Sequence, residues 1–121
     1  MEKVNLKNKL NTFSEAYVPK VVGELNGQYV KVVKFNGEYV WHHHENEDEM
    51  FLVLKGQIDI EFEDHTETLK EGEFLIVEKG VKHRPIAREE AHVLLFETNT
   101  TRNTGNVDHK YTIEADDLEK I

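Results

Sequence analysis

The sequence predicts an all-β fold, either a β-sandwich or a closed jelly-roll barrel, preceded by a short N-terminal helix. Short apolar segments follow one another along most of the chain, and turn residues interrupt them about every eight to ten residues. Residues 57–63 alternate strictly, since acidic residues separate Ile58, Ile60 and Phe62. The chain has 121 residues, a length that suits one domain with one hydrophobic core.

The first predicted element is a helix over residues 4–15. Leu6, Leu10 and Phe13 recur at helical spacing there, and no glycine or proline interrupts them. Pro19 ends this segment or follows it, because proline disfavours helical geometry in the residue before it. We expect the barrel to occupy about residues 20–98.

The barrel strands are predicted between turn residues. Asn36-Gly37 is the strongest hairpin signal, and Gly56, Gly72 and Gly80 mark further turns. The predicted strands cover residues 29–35, 38–44, 49–54, 57–63, 66–69, 73–77, 82–86 and 91–97. Residues 99–121 form a tail that is polar up to residue 105. We expect its last part, residues 112–121, to be a short helix or an ordered arm.

Composition and charge exclude several classes of protein and site. The chain has no cysteine, so a disulfide framework and a thiolate metal site are excluded, and any metal must be bound by His, Asp or Glu. The net charge of −9 disfavours nucleic acid as a partner. Residues 1–5 lack the apolar segment of a signal peptide, and the longest apolar run, residues 50–54, is far shorter than the ~20 residues of a membrane span. We therefore expect a cytoplasmic protein that binds neither nucleic acid nor a membrane.

Residues 41–49 contain candidate metal ligands. In a strand, His42 and His44 share one face about 7 Å apart, and His43 points to the other. Glu49 opens the next strand and is placed to complete the same face. Imidazole nitrogen with carboxylate oxygen suits Zn, Fe, Mn, Co or Ni. Taken alone, the segment is equally compatible with an isolated His-x-His beside a solvated acidic loop.

The spacing of these residues resembles the first motif of the cupin superfamily, G-x5-H-x-H-x3–4-E-x6-G. The chain shows Gly37, His42, His44, Glu49 and Gly56 in that order. Four residues separate His44 from Glu49 and six separate Glu49 from Gly56, as the motif requires. Four residues separate Gly37 from His42, which is one fewer than the motif has.

A second stretch resembles the second cupin motif, G-x5-P-x-G-x2-H-x3-N. Gly72, Gly80 and His83 match it at the right spacing. Glu78 stands where proline is usual, and Ala87 stands where asparagine is usual. Neither position carries a metal ligand in the family, so the departures leave the predicted site intact.

The resemblance implies a small single-domain cupin, an RmlC-like double-stranded β-helix (jelly-roll) barrel. It also implies that His42, His44, Glu49 and His83 hold one divalent metal ion (Zn, Fe, Mn, Ni or Co) inside the barrel. Small cupins of this layout are similar to proteins described as mannose-6-phosphate isomerase-like, or as dioxygenases and lyases. Because function resides in sites rather than in folds, this similarity is a weak guide to the reaction.

Family members often pair through the N-terminal segment and an outer sheet face, so the resemblance also implies a homodimer. Val18, Val21 and Val22 offer apolar surface in that segment, although a place in the core explains them equally well.

No second catalytic residue stands out. Tyr29, Tyr39 and His92 lie on predicted strands and would serve as a base if they faced the interior, but we expect core or surface positions. Arg84 follows His83 and should point to the opposite face. No inward lysine or arginine is evident beside the ligands, so an anionic sugar phosphate is disfavoured and a neutral or mildly polar small molecule is expected.

Three functions follow from this site. The first is a metalloenzyme that acts on a small organic molecule as a dioxygenase, isomerase or lyase. The second is a non-catalytic cupin in which the metal anchors a small-molecule ligand. The third is a protein in which the ion stabilises the barrel.

Overall fold

The computed structural model describes residues 1–121, which fold into β-strands with one short α-helix and one 3₁₀ turn. The α-helix is α1 (Leu6–Leu10), and the 3₁₀ turn is Ala115–Asp117. The strands are β1 (Lys20–Leu25), β2 (Gln28–Glu38), β3 (Glu49–Lys55), β4 (Gln57–Phe62), β5 (Thr66–Lys70), β6 (Phe74–Val77), β7 (His83–Thr98) and β8 (Glu119–Lys120). This architecture confirms the predicted all-β jelly roll.

The long strand β7 organises the sheet. It pairs antiparallel with β2 along most of its length, with β4 through residues 83–86 and with β3 through residues 92–97. The sheet order is β5-β4-β7-β2-β1-β8, and β6 pairs only with β3. Inward side chains of these strands form the main core, which contains Val33, Phe35, Phe51, Ile60 and Val93 among its buried members.

The two strands predicted at residues 82–86 and 91–97 are wrong as separate elements, because β7 runs through both. The register with β2 shifts between the pairs Phe35–Ala91 and Gly37–Ala87, so residues 88–90 bulge opposite Asn36. Those three residues are exposed and polar, as turn residues usually are, but their backbone remains part of the strand.

The hairpin turn predicted at Asn36-Gly37 is also wrong. Strand β2 continues through both residues to Glu38, and Gly37 has a φ of 83°. A positive φ serves a bulge as well as a two-residue turn, so the dipeptide alone does not distinguish them. The strand predicted at residues 38–44 is absent beyond Glu38, and only His42 forms a β-bridge, with His83.

The predicted N-terminal helix is much shorter than residues 4–15. Its Asn5 N-cap accepts a bond from the Asn8 amide, and the helix ends at Leu10. Leu10 packs with Val22 and Val32 in a small second core, against which Phe13 also packs after the helix has ended. The apolar residues at helical spacing therefore pack against the same small core, although the helix itself ends at Leu10.

Strand β1 decides between the two roles that the sequence left open for Val21 and Val22. Val21 and Val22 are buried within the chain, so they belong to the core.

The helix of the structure is too short and too polar to cross a membrane.

The C-terminal tail is an ordered arm that packs along the barrel. Thr101 and Thr104 are fully buried, and Leu118 is also buried. Strand β8 pairs parallel with β1, and the Ile121 amide donates to the Val21 carbonyl. The tail therefore covers barrel surface from the last residues of β7 to the chain end.

Candidate metal centre

The structure brings together the four residues that the sequence predicted as ligands. His42, His44, Glu49 and His83 each offer one ligand atom, and these atoms all lie within 4.8 Å of one another. All four side chains are buried. Two come from the irregular segment 39–44, and the others come from the first residues of β3 and β7.

Backbone hydrogen bonds fix the irregular segment that carries His42 and His44. The His42 amide donates to the His83 carbonyl at 3.0 Å, and the His83 amide donates back to the His42 carbonyl at 2.9 Å. The Gly80 amide donates to the His44 carbonyl at 2.7 Å. The two cupin-like motifs are therefore joined directly through their backbones.

Two imidazoles are held in the tautomer that suits a metal ligand. Nδ1 of His42 lies 2.8 Å from the Val40 carbonyl, and Nδ1 of His83 lies 2.9 Å from the Val81 carbonyl. A carbonyl can only accept, so each Nδ1 carries the proton and each Nε2 presents its lone pair. Each ring contacts the carbonyl two residues before it, and the two ligands are thus oriented by the same local geometry.

Several buried polar atoms of the site lack a hydrogen-bond partner: His44 Nε2, His83 Nε2 and Glu49 Oε1. The Glu49 oxygen lies 3.3 Å from His44 Nε2 and 3.6 Å from His83 Nε2. Buried polar groups are nearly always satisfied, so this cluster points to a missing partner. A divalent cation bound by imidazole nitrogens and one carboxylate oxygen fits all three atoms.

The protein environment shifts the pKa values of the ligands in different directions. Burial, reinforced by His83, lowers the pKa of His42 to about 3. Burial also opposes charge on His44, but the negative charge of Glu49 outweighs it and raises the pKa of His44. Burial disfavours the charged form of Glu49 too, yet Glu97 and His44 hold its pKa well below the usual range. His42 is therefore neutral and Glu49 is charged, as metal ligands must be.

A small cavity lies beside the ligands. It holds about 20 Å³, which is room for roughly one water molecule. Its lining includes His42 and Glu49 from the ligand set, with Phe35 and Phe51 from the apolar core. An organic molecule therefore needs part of the wall to move before it can reach the ligands.

Tyr39 forms one wall of this cavity. Its ring meets His42 edge-on at 5.4 Å and stacks on Tyr111 at 5.6 Å. Burial, aided by the negative charge of Glu49, raises the pKa of Tyr39, so its hydroxyl keeps the proton at neutral pH. Of the three candidate bases, Tyr39 alone lines the cavity. Tyr29 lies beside Lys31, and His92 lies beside Glu90.

Arg84 lies outside the barrel, as strand alternation predicted. Its guanidinium donates to Glu61 Oε1 at 2.7 and 2.9 Å and stacks over Trp41. The residue therefore contributes no charge to the cavity.

The prediction that no lysine or arginine points inward beside the ligands is wrong. Lys31 is completely buried, on the same face of β2 as Val33 and Phe35, and its Nζ lies 2.8 Å from Glu97 Oε1. Strand alternation would have placed Lys31 inside, although buried lysine is rare enough to be discounted. Because Lys31 Nζ is already bonded to Glu97, it is not free to bind a phosphate.

The sequence also gave no indication that the C-terminal tail contacts the ligand segment. The Asn106 amide donates to the His43 carbonyl at 3.1 Å, and the His43 amide donates to Asn106 Oδ1 at 2.9 Å. A Cβ on Gly105 would lie 2.1 Å from the His43 carbonyl oxygen and 3.1 Å from the His42 ring. Asn103 lines the cavity itself. The tail thus completes the wall of the candidate site.

Comparisons with known proteins agree with this site and fold. The family model described as "Cupin domain" matches residues 30–99, a range that contains every candidate ligand. The uncharacterized protein YdbB of Bacillus subtilis (strain 168) is 40% identical over 81 residues, which cover 66% of this chain and 72% of that protein.

Two solved structures are similar over most of this chain. A cupin-2 domain containing protein from Shewanella frigidimarina has 39% identity and a TM-score of 0.78, covering 78% of this chain and 93% of its own. Protein NMB1881 from Neisseria meningitidis has 32% identity and a TM-score of 0.74, covering 80% of this chain and 99% of its own. With the two motifs gathered in a jelly roll, and the family model matched over more than half of the residues, this chain belongs to the cupin family.

Proposed function

We propose that this cupin binds one divalent metal ion through His42, His44, Glu49 and His83. The supporting observation is the group of buried ligand atoms without hydrogen-bond partners, which converge to within 4.8 Å of one another. Zn, Fe, Mn, Ni and Co all accept this donor set. Four protein ligands leave one or two coordination positions for water or another small molecule.

The proposed activity is that of a metalloenzyme acting on a small organic molecule, as a dioxygenase, isomerase or lyase. When bound, the ion supplies Lewis-acid or redox chemistry. The protein supplies an apolar wall that excludes water, formed by Phe35 and Phe51 among others, and a protonated hydroxyl on Tyr39. A neutral or mildly polar substrate suits this lining, since Lys31 is already paired with Glu97.

The size of the cavity favours an alternative role. A volume of about 20 Å³ has no room for an organic substrate beside an ion. In this second role the ion anchors a small ligand or stabilises the barrel without turnover. The two roles differ in one observable: an enzyme forms product, whereas a protein of the second kind binds metal and forms no product.

Metal content tests the proposal directly. The protein is purified without metal-affinity resin, and its metal is measured by mass spectrometry before and after loading with Zn²⁺ or Co²⁺. We expect one ion per chain in the wild-type protein. His83→Ala removes a proposed ligand itself. Its metal affinity should therefore fall further than the about ten- to a hundredfold that follows when a ligand loses only its hydrogen-bond partner.

His43→Ala is the matched control for this experiment. His43 is adjacent to two ligands, but its side chain points outward and contacts Glu45. We expect His43→Ala to bind metal like the wild type. A wild-type protein that takes up no divalent metal at pH 7.5 would overturn the proposal.

A further inference from the structure

A buried ion pair lies next to the candidate ligand Glu49. The side chains of Lys31 and Glu97 are 0% and 1% exposed, and Lys31 Nζ donates to Glu97 Oε1 at 2.8 Å. Desolvating two charges costs about as much as their attraction returns, so such a pair is weak evidence for stability. The pair therefore suggests a role beyond holding the barrel together.

Glu97 faces Glu49 directly across the sheet. The two residues are register partners in the antiparallel pairing of β3 with β7, so their side chains leave the sheet on the same face. Both side chains are buried, and directly opposite residues have Cβ atoms about 4.5–5.5 Å apart, so the two carboxyls are neighbours in the barrel interior. Glu97 is thus the immediate neighbour of a ligand without being one of the four converging residues.

The unsatisfied atoms of the protein connect Glu97 to the site. Four buried side-chain atoms lack a conventional hydrogen-bond partner, and three belong to the candidate ligands. The fourth is Glu97 Oε2, the oxygen that Lys31 does not contact. One end of the Glu97 carboxyl is therefore fixed by Lys31, and the other end is left for Glu49.

We propose that Glu97, anchored by Lys31, is a positioning residue for the metal ligand Glu49. In this chain of contacts, Lys31 Nζ donates to Glu97 Oε1, and Glu97, whose Oε2 has no hydrogen-bond partner, lies directly opposite Glu49 in the pairing of β3 with β7. Held in this way, Glu97 restrains rotation of the Glu49 carboxylate, whose Oε1 lies 3.3 Å from His44 Nε2. This inference rests on the proposed metal site, because positioning matters only if Glu49 binds an ion.

The test compares polar and apolar replacements of the pair. Glu97→Gln keeps an oxygen for Lys31 and an N–H for Glu49. Lys31→Met with Glu97→Met removes both charges together, so that no unpaired charge stays buried. Each purified protein is titrated with Co²⁺ in competition with a chromophoric chelator, the visible absorption of bound Co²⁺ is recorded, and the metal-free protein is melted as a measure of folding.

We expect the double variant to bind Co²⁺ about ten- to a hundredfold more weakly, with an altered absorption spectrum, while its metal-free form still unfolds cooperatively. Glu97→Gln should stay close to the wild type in affinity and spectrum. A folded double variant with wild-type affinity and spectrum would overturn the inference while leaving the metal site standing.

Other outcomes are equally decisive. If the double variant does not fold, Glu97→Gln still decides, because a loss of affinity of tenfold or more with a normal melting curve contradicts the chain of contacts. If the wild type binds no Co²⁺, the proposed function fails, and the positioning role fails with it.

Discussion

His42 and His44 are separated by one residue and are both buried, yet their pKa values shift in opposite directions. Burial and then His83 lower the pKa of His42 to about 3. Burial acts the same way on His44, but the adjacent Glu49 carboxylate outweighs it and raises the pKa. A metal ion entering this site therefore competes with a proton on His44 and meets a lone pair already free on His42.

The two shifts can be observed separately in the metal-free protein. In an imidazole ¹⁵N NMR titration from pH 8 to pH 5, we expect His42 to stay neutral and His44 to take up its proton above the ordinary value of 6.5. The raised pKa of His44 contributes stability that is complete below about pH 6.5 and is lost as the pH rises through its folded value. His42 acts oppositely, because between about pH 6.5 and 3 only the unfolded chain binds its proton.

Spectra of His42→Gln and His44→Gln assign the two signals. A His42 that titrates near pH 6.5 would show that the site is open to water in solution, contrary to its 2% exposure.

At the level of single residues, the sequence identified the four candidate ligands but not the residues next to them, Lys31 and Glu97. The motif spacing picked out all four converging residues, and strand alternation correctly separated His43 from them. The strand-alternation argument gave the correct orientation of His43, although segment 39–44 is not a regular strand. Glu97 was missed because its partner Lys31 is 66 residues away, and only the folded sheet brings the two together.

The segment 39–44 has no regular strand pairing of its own, so its position depends on hydrogen bonds from neighbouring elements. His83 binds its backbone on one side, and Asn106 of the C-terminal tail binds it on the other.

The local signal at Asn36-Gly37 predicted a turn before this segment, and the structure has a bulge. A dipeptide determines the sign of φ, but the strand that pairs across it determines whether the chain reverses.

The contact between the tail and the ligand segment can be tested at Gly105. Its φ is +57°, and a Cβ there would lie 2.1 Å from the His43 carbonyl oxygen. We expect Gly105→Ala to displace the tail from the His43 backbone, and so to lower both the melting temperature and the affinity for Co²⁺. Calorimetric melting and the chelator competition described above measure the two effects.

Gly72→Ala provides the matched control. Gly72 also has a positive φ, +82°, but a Cβ there would meet nothing within 4 Å. That variant should lose only the roughly 1–2 kcal/mol of left-handed backbone strain and keep its metal affinity. Equal metal affinities in the two variants would mean that the tail does not support the ligands.

For the whole molecule, the sequence predicted the jelly roll but not how the N-terminal segment and the C-terminal tail pack against it. The family model matches residues 30–99, and both the N-terminal segment and the tail lie outside that range. Tyr17 from the former lines the cavity, and its ring meets that of Tyr111 from the latter in a tilted arrangement, with the ring centroids 5.3 Å apart. No periodic pattern marks such contacts, because they depend on two segments that meet only after the barrel has formed. The homodimer and the cytoplasmic location stay predictions.

Metal binding should stabilise the whole barrel, because the proposed ligands come from distant parts of the chain. An ion at this site ties the segment 39–44 to the first residues of β3 and β7. A ligand that binds only the folded state adds about 2.7 kcal/mol when its free concentration is about a hundred times Kd. We therefore expect the melting temperature to rise with added Zn²⁺ or Co²⁺ and to fall again with a chelator.

Both His83→Ala and the double variant Lys31→Met with Glu97→Met should show a smaller rise at the same metal concentration, whereas His43→Ala should show the full rise. An equal rise in wild-type protein and His83→Ala would place the stabilising ion elsewhere, on the exposed acidic surface. That result would separate non-specific cation binding by a chain of net charge −9 from coordination at the buried site.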